Sequence, residues 1–205
     1  GGAITLDDTP ITRLSVTGRR VAGLATLPEE RNGHAAVPGL SLAENAILSA
    51  RRRKGLVSGG IIRAGAARRF AAAVIDAFSV KATGPAASAA SLSGGNLQKF
   101  VMGREIMQEP AVLVVSQPTW GVDAGAASFI RQAMVDLAGK GTAIVVVSQD
   151  LDELLEFCDR MAVINGGHLS DAMEVKGISV ERVGLLMGGV HGEADQPSVG
   201  AERAA

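Results

Sequence analysis

The sequence predicts an α/β fold, a parallel sheet flanked by helices with a mostly helical segment inserted between its strands. Residues 111–115 (AVLVV) and 143–147 (AIVVV) are short runs, apolar at every position, as strands covered on both faces are. Between them Ile130, Met134 and Leu137 recur at helical spacing, and Gly139 and Gly141 mark the end of that helix. Strands alternating with helices give parallel pairing. A third apolar run, 21–27, is separated from these two by a stretch of helical character at about 32–91.

Each element has a local reason. Residues 3–6 (AITL) read as a short strand, and a polar stretch with Pro10 follows. The run at 21–27, bounded by Gly23 and Pro28, reads as a buried strand, and 28–33 (PEERNG) as a loop. Ser41 with Glu44 is a capping-box pattern. A second helix over about 64–78 puts Phe70, Val74, Ile75 and Phe78 on one face, and the small residues of 84–91 make a loop. Leu97, Phe100, Val101 and Met107 stripe a further helix. Asp150 with Glu153 caps a short helix through Phe157. Residues 160–169 read as a hairpin turning at Asn165-Gly166-Gly167, and Ser179 caps a last helix near 180–187. The polar residues 191–205 read as a disordered tail.

Composition excludes several function classes. With 205 residues, 47 % of them hydrophobic, the chain can bury a sizeable core. A net charge of −1 gives no basic field for nucleic acid. The single cysteine, Cys158, forms no internal disulfide and reads as a small core residue, without the His partner a nucleophile needs. His34, His168 and His191 lack metal-ligand spacing and read as surface residues, and no metal site is expected. Residues 51–54 (RRRK) read as a solvated helix end. The longest apolar runs fall far short of the roughly 20 residues that span a bilayer, and no signal-peptide pattern opens the chain. Any membrane role is therefore expected to come through a partner.

One turn carries chemistry. Ser93, Gly94, Gly95 and Asn96 directly precede the helix striped by Leu97 and Phe100. Ser93 offers a hydroxyl, the glycines allow close backbone approach, and the first N–H groups of a helix have no internal partner and carry partial positive charge. That suits a phosphate. In isolation, the five residues 92–96 read rather as an ordinary Ser/Gly loop with an N-cap.

They do not stand in isolation. Residues 92–99 (LSGGNLQK) resemble the signature motif of the ABC ATPase family. Residues 111–123 (AVLVVSQPTWGVD) are similar to its Walker B strand and D-loop, 142–153 (TAIVVVSQDLDE) to its switch segment, and 159–169 (DRMAVINGGHL) to its closing hairpin. Upstream, 27–33 (LPEERNG) and 41–45 (SLAEN) resemble the Q-loop region of the second nucleotide-binding domain in importers of simple sugars. The segments occur in family order and cover about residues 1–169. The Asn of LSGGN and the Gln before Pro118-Thr119 resemble sugar and nucleoside import ATPases, with Ser116-Gln117 leaning toward the nucleoside branch.

The resemblance implies a P-loop-NTPase-like (ABC ATPase) sheet with a helical insertion, truncated before the P-loop strand and helix. It divides the chain into an incomplete core part at 1–31, a helical signature subdomain at 32–91, the rest of the core at 92–190 and the tail at 191–205. It also implies that Ser93, Gly94, Gly95, Asn96 and Asp123 face ATP bound by another domain. No G-x-x-x-x-G-K-[ST] occurs in the sequence. Ser116 stands where the family has the Mg²⁺-associated Asp, Gln117 at the catalytic Glu, Gln149 at the switch His and Glu29 at or near the Q-loop Gln. Trp120 replaces a common Arg and reads as covering apolar surface. The expectation is a degenerate site, inactive alone, using ATP and Mg²⁺ only in an assembled transporter. Its partners would be another nucleotide-binding domain, membrane-spanning permease subunits at the cytoplasmic face and, indirectly, a solute-binding protein. The alternatives are a non-catalytic pairing scaffold and a soluble ABC ATPase outside transport. Without the P-loop strand, the chain is expected to be marginally stable.

Overall fold

The computed structural model describes residues 2–190, which divide into one unit up to Gln149 and a second from Asp150 onward. The tail expected at 191–205, with His191, lies outside the described residues. Among the described residues no helix is long and apolar enough to cross a membrane.

The first unit opens with β1 (Thr5–Leu6) and β2 (Thr9–Pro10), an antiparallel pair around Asp7 and Asp8. Both aspartates have positive φ, 47° and 59°, as a two-residue hairpin turn requires. The strand expected at 3–6 is therefore half of a small hairpin. The polar stretch after it contains α1 (Val16–Ala22), capped by Ser15 and stopped by Gly23 at φ 112°. None of its residues is buried, so it shows no apolar stripe. The strand β3 is correspondingly shorter than the apolar run, Leu24–Leu27.

The helical segment follows. α2 (Leu42–Ala50) begins in the capping box of Ser41 and Glu44. β4 (Val57–Ser58) and β5 (Ile61–Ile62) form a hairpin across Gly59 and Gly60, both at positive φ. In α3 (Ala64–Ala77) the buried face is Ala67, Ala71 and Val74, continued by Phe78 at its end. Phe70 and Ile75 are only half-buried. Small residues face inward because α3 packs closely on its neighbours.

α4 (Gly94–Ile106) is the hub. Leu97, Gln98 and every residue from Phe100 to Glu105 are buried, so it is covered all round rather than on one stripe. β6 (Val112–Ser116), α5 (Ala124–Ala138) and β7 (Ala143–Val147) complete the unit, with Ile130, Met134 and Leu137 buried on α5 as expected. The sheet has the order β3-β6-β7, parallel throughout, with Leu24 opposite Val112 and Val112 opposite Ala143. β6 is central, and Leu113 and Val115 are fully buried. β7 differs from the expectation of a strand covered on both faces. It is an edge strand whose Val145 and Val147 are 51 % and 52 % exposed.

The second unit holds α6 (Leu151–Phe157), β8 (Arg160–Met161), β9 (Ile164–Asn165), β10 (His168–Leu169), β11 (Met173–Glu174) and α7 (Val180–Met187). Met161, Val163, Val183 and Leu186 form its core. The expected hairpin is β9–β10, turning at Gly166-Gly167, while β8 pairs instead with β11.

Candidate functional site

The serine–glycine turn lies at the surface. Ser93 and Gly94 are exposed, and Gly95 and Asn96 half-buried, at the start of the central helix α4. Ser93 is its N-cap, and its Oγ accepts from the Asn96 N–H at 3.4 Å and from Asn96 Nδ2 at 2.9 Å. Asn96 Oδ1 accepts from the backbone N–H of Lys81 at 2.8 Å. An N–H can only donate, which fixes the amide with its oxygen toward Lys81 and its NH₂ toward Ser93. Both acceptor positions of Ser93 Oγ are thereby occupied, and its O–H is left to donate. The Gly94 and Gly95 amides have no acceptor among the described residues. The turn offers three outward donors at the positive end of a 13-residue helix.

Two other segments converge on it. Asp123 caps α5, its Oδ1 accepting from Ala126 N–H at 2.9 Å, and this bond above all holds its carboxyl below the usual carboxylate range. Its other oxygen lies against Gly95, where a Cβ would sit 3.3 Å away. Arg31, in the loop after β3, donates from Nη1 to the Gly94 carbonyl at 3.1 Å and from Nη2 to the Trp120 carbonyl. Partial burial lowers the pKa of its guanidinium. Beside it opens a groove of about 430 Å³ lined by Glu29, Arg31, Leu92, Leu97 and Trp120. Trp120 is 65 % exposed, so most of its surface faces solvent.

Ser116 and Gln117 end β6. Gln117 is buried and adopts φ 49°, a left-handed conformation that is costly for a residue with a side chain. Its N–H donates to Val147 O at 2.8 Å, and Ser148 Oγ donates to its Oε1 at 3.5 Å. The ends of β6 and β7 thus meet at this amide. Gln149 follows on the exposed side, and Glu29 is exposed in the loop after β3.

No family model matches the chain. Individual relatives do. It is 37 % identical over 190 residues to the glucose import ATP-binding protein TsgD13 of Haloferax volcanii, covering 92 % of this chain and 34 % of that protein. It is 31 % identical over 188 residues to the guanosine import ATP-binding protein NupO of Bacillus subtilis, covering 92 % and 37 %. It is 36 % identical over 181 residues to the xylose import ATP-binding protein XylG of Burkholderia cenocepacia, covering 88 % and 34 %. Among solved structures it resembles the dimeric ATP-binding cassette MJ0796 bound to ADP and Pi. That match has a TM-score of 0.68 and 19 % identity, over 87 % of this chain and 75 % of the other. The chain belongs to the ABC ATPase family. It spans about a third of the length of the curated relatives it matches.

For this ABC ATPase domain, the residues that resemble the signature (Ser93–Asn96) and the D-loop (Asp123) lie together. Those at the Walker B and switch positions (Ser116, Gln117, Gln149) gather at the ends of β6 and β7. Two connections escaped the sequence reading. Arg31 bridges the Q-loop-like segment to the signature turn, and Gln98, buried on α4, donates to Pro118 O at 2.6 Å. Neither belongs to an apolar stripe. The sequence signals were their places inside the motif-like segments 27–33 and 92–99, which did not show what either side chain bonds to. The basic run at 51–54 follows the end of α2 with Arg51, Arg52 and Arg53 exposed, as expected, and two of these side chains also bond to the rest of the unit. Arg51 donates to Thr17 Oγ1 at 2.6 Å, and Arg53 to the carbonyls of Gln108 and Glu109 at 3.1 and 2.8 Å.

Proposed function

We propose that this domain supplies its signature turn in trans to ATP held by the P-loop of another ABC nucleotide-binding domain, within an importer of sugars or nucleosides. The observation that carries this reading is the donor set at the start of α4. The two Asn96 bonds turn the Ser93 hydroxyl into a donor, and the Gly94 and Gly95 amides point the same helix end at an incoming anion. The closeness of the Asp123 carboxylate to Gly95 supports reading its segment as the D-loop of the same surface.

The domain's own Walker B and switch positions do not fit a Mg²⁺-nucleotide. Ser116 and Gln117 carry no charge for a hydrated Mg²⁺, and an amide such as Gln117 cannot take a proton from water. The chain alone is therefore expected to be inactive in hydrolysis. When bound by the partner, Mg²⁺-ATP supplies the electrophilic phosphorus and the leaving group. Ser93, Gly94 and Gly95 then orient the terminal phosphate and stabilise its charge. The segment at 32–91 would meet membrane-spanning permease subunits at the cytoplasmic face, and a solute-binding protein would act through them.

The test is titration of the chain with an ABC nucleotide-binding domain that has an intact P-loop and its catalytic Glu changed to Gln. We expect a complex that forms with Mg²⁺-ATP, is absent with ADP, and weakens about tenfold on Ser93→Ala, the loss of one charge-assisted hydrogen bond. Equal association with ATP, ADP and no nucleotide would favour a pairing scaffold instead.

A further inference from the structure

Arg31 was assigned no role by motif, yet from the Q-loop-like segment it touches both the signature turn and the turn before the D-loop. We propose that Arg31 is a positioning residue that locks the signature turn and the turn before the D-loop into one unit, presented together to the partner. This rests on the trans-acting signature reading.

The geometry is specific. The guanidinium sits between two carbonyls from segments far apart in sequence, Gly94 and Trp120. A Cβ built on Gly94 would lie 3.0 Å from Nη1, and one on Gly121 would lie 3.0 Å from Nη2. Both segments therefore carry glycine where the planar cation lies against the chain, and Gly121 also needs it for its φ of 62°. A guanidinium presents its N–H groups in a fixed fork, so it reaches two carbonyls at once at little further cost in side-chain freedom. An ammonium is a point donor on a flexible stem and cannot hold both in the same relation. The anchor on the other side is the loop after β3, where the Arg31 carbonyl accepts from Ala36 N–H at 2.7 Å. On the far side of the signature turn Gly95 rests on Asp123. A displacement of the loop after β3 is thus carried to both turns.

Amide hydrogen exchange on the 205-residue chain tests this, comparing wild type with Arg31→Ala and Arg31→Lys. We expect amides of residues 94–97 and 121–126 to exchange about tenfold faster in Arg31→Ala, the scale of one net charge-assisted hydrogen bond. Those of β6 and of α5 beyond Ile130 should stay unchanged, and Lys should not restore protection. Faster exchange at one turn only, uniform acceleration across the unit, or full rescue by Lys would each overturn the proposal. A second arm uses the ATP-dependent pairing assay. Arg31→Ala should pair about tenfold more weakly; pairing as tight as wild type despite loosened turns would overturn the coupling. If wild type never pairs, the signature reading fails, and the exchange result alone decides the lock.

Discussion

Arg20 Nη1 lies 2.8 Å from Glu105 Oε2, joining the surface helix α1 to the last turn of the buried helix α4. The other carboxylate oxygen accepts from Arg104 Nε at 2.9 Å, and Gln108 Nε2 donates to the first at 3.1 Å. Arg104 in turn donates to Asn45 O on α2 at 3.1 Å. One carboxylate, with no exposed surface, therefore ties α1, α2 and α4 together.

Removing that charge strands Arg104 in the core. Glu105→Gln is expected to cost about 3 kcal/mol, the scale of breaking a buried ion pair, measured by urea unfolding. Burial pushes the Glu105 carboxyl up, but Arg104, Arg20 and the hydrogen bonds from Ser49 and Arg20 together bring it below its usual value. A carboxyl depressed in the folded state contributes stability above its unfolded pKa of about 4.3 and loses it as the pH falls through the folded value. The gap between wild type and Glu105→Gln should hold at pH 7 and narrow below about pH 4. A gap that widens on acidification would contradict this assignment.

Gly103 faces the Phe78 ring, and a Cβ there would come within 2.5 Å of Cδ2. Ala at a helix interior normally gains about 1 kcal/mol over Gly. Here overpacking of α3 against α4 should outweigh that gain, for a net loss of about 2 kcal/mol. The double variant Gly103→Ala/Phe78→Leu should recover part of it in the same denaturation assay. A Gly103→Ala protein as stable as wild type would mean the α3–α4 contact yields freely.

Gln117 is buried, and its side-chain oxygen accepts from the Ser148 hydroxyl, which is uncharged. Gln117→Glu restores the residue common in the family but places a charge there. It should lower stability by about 1–3 kcal/mol at pH 7. The folded-state pKa of the new carboxyl would rise, so this loss should shrink as the pH falls toward 4. Thermal melts at the two pH values check the sign.

Arg53 caps the carboxyl end of α4 through the carbonyls of Gln108 and Glu109. Arg53→Ala should cost about 1 kcal/mol and raise exchange at the last turn of α4, while Arg52→Ala, at an exposed neighbour, should cost less than about 0.5 kcal/mol. Equal effects of the two would return the basic run to a plain solvated face.

Local chemistry was readable from the chain itself. The apolar runs at 111–115 and 143–147 became β6 and β7, the Ser41–Glu44 box opened α2, and Ser93, Asp150 and Ser179 each capped the helix that follows. These features act over a few residues, so periodicity and a cap suffice to find them. The helix α1 and the β4–β5 hairpin escaped, because neither has an alternating or striped apolar pattern. The tertiary structure alone decided that β7 is an edge, that Glu105 is shared by two arginines, and that Arg31 reaches Gly94 and Trp120. An arginine's fork can bind any carbonyl or carboxylate, so its partner is set by which distant backbone the packing of α4 brings within reach, and no local pattern encodes that choice.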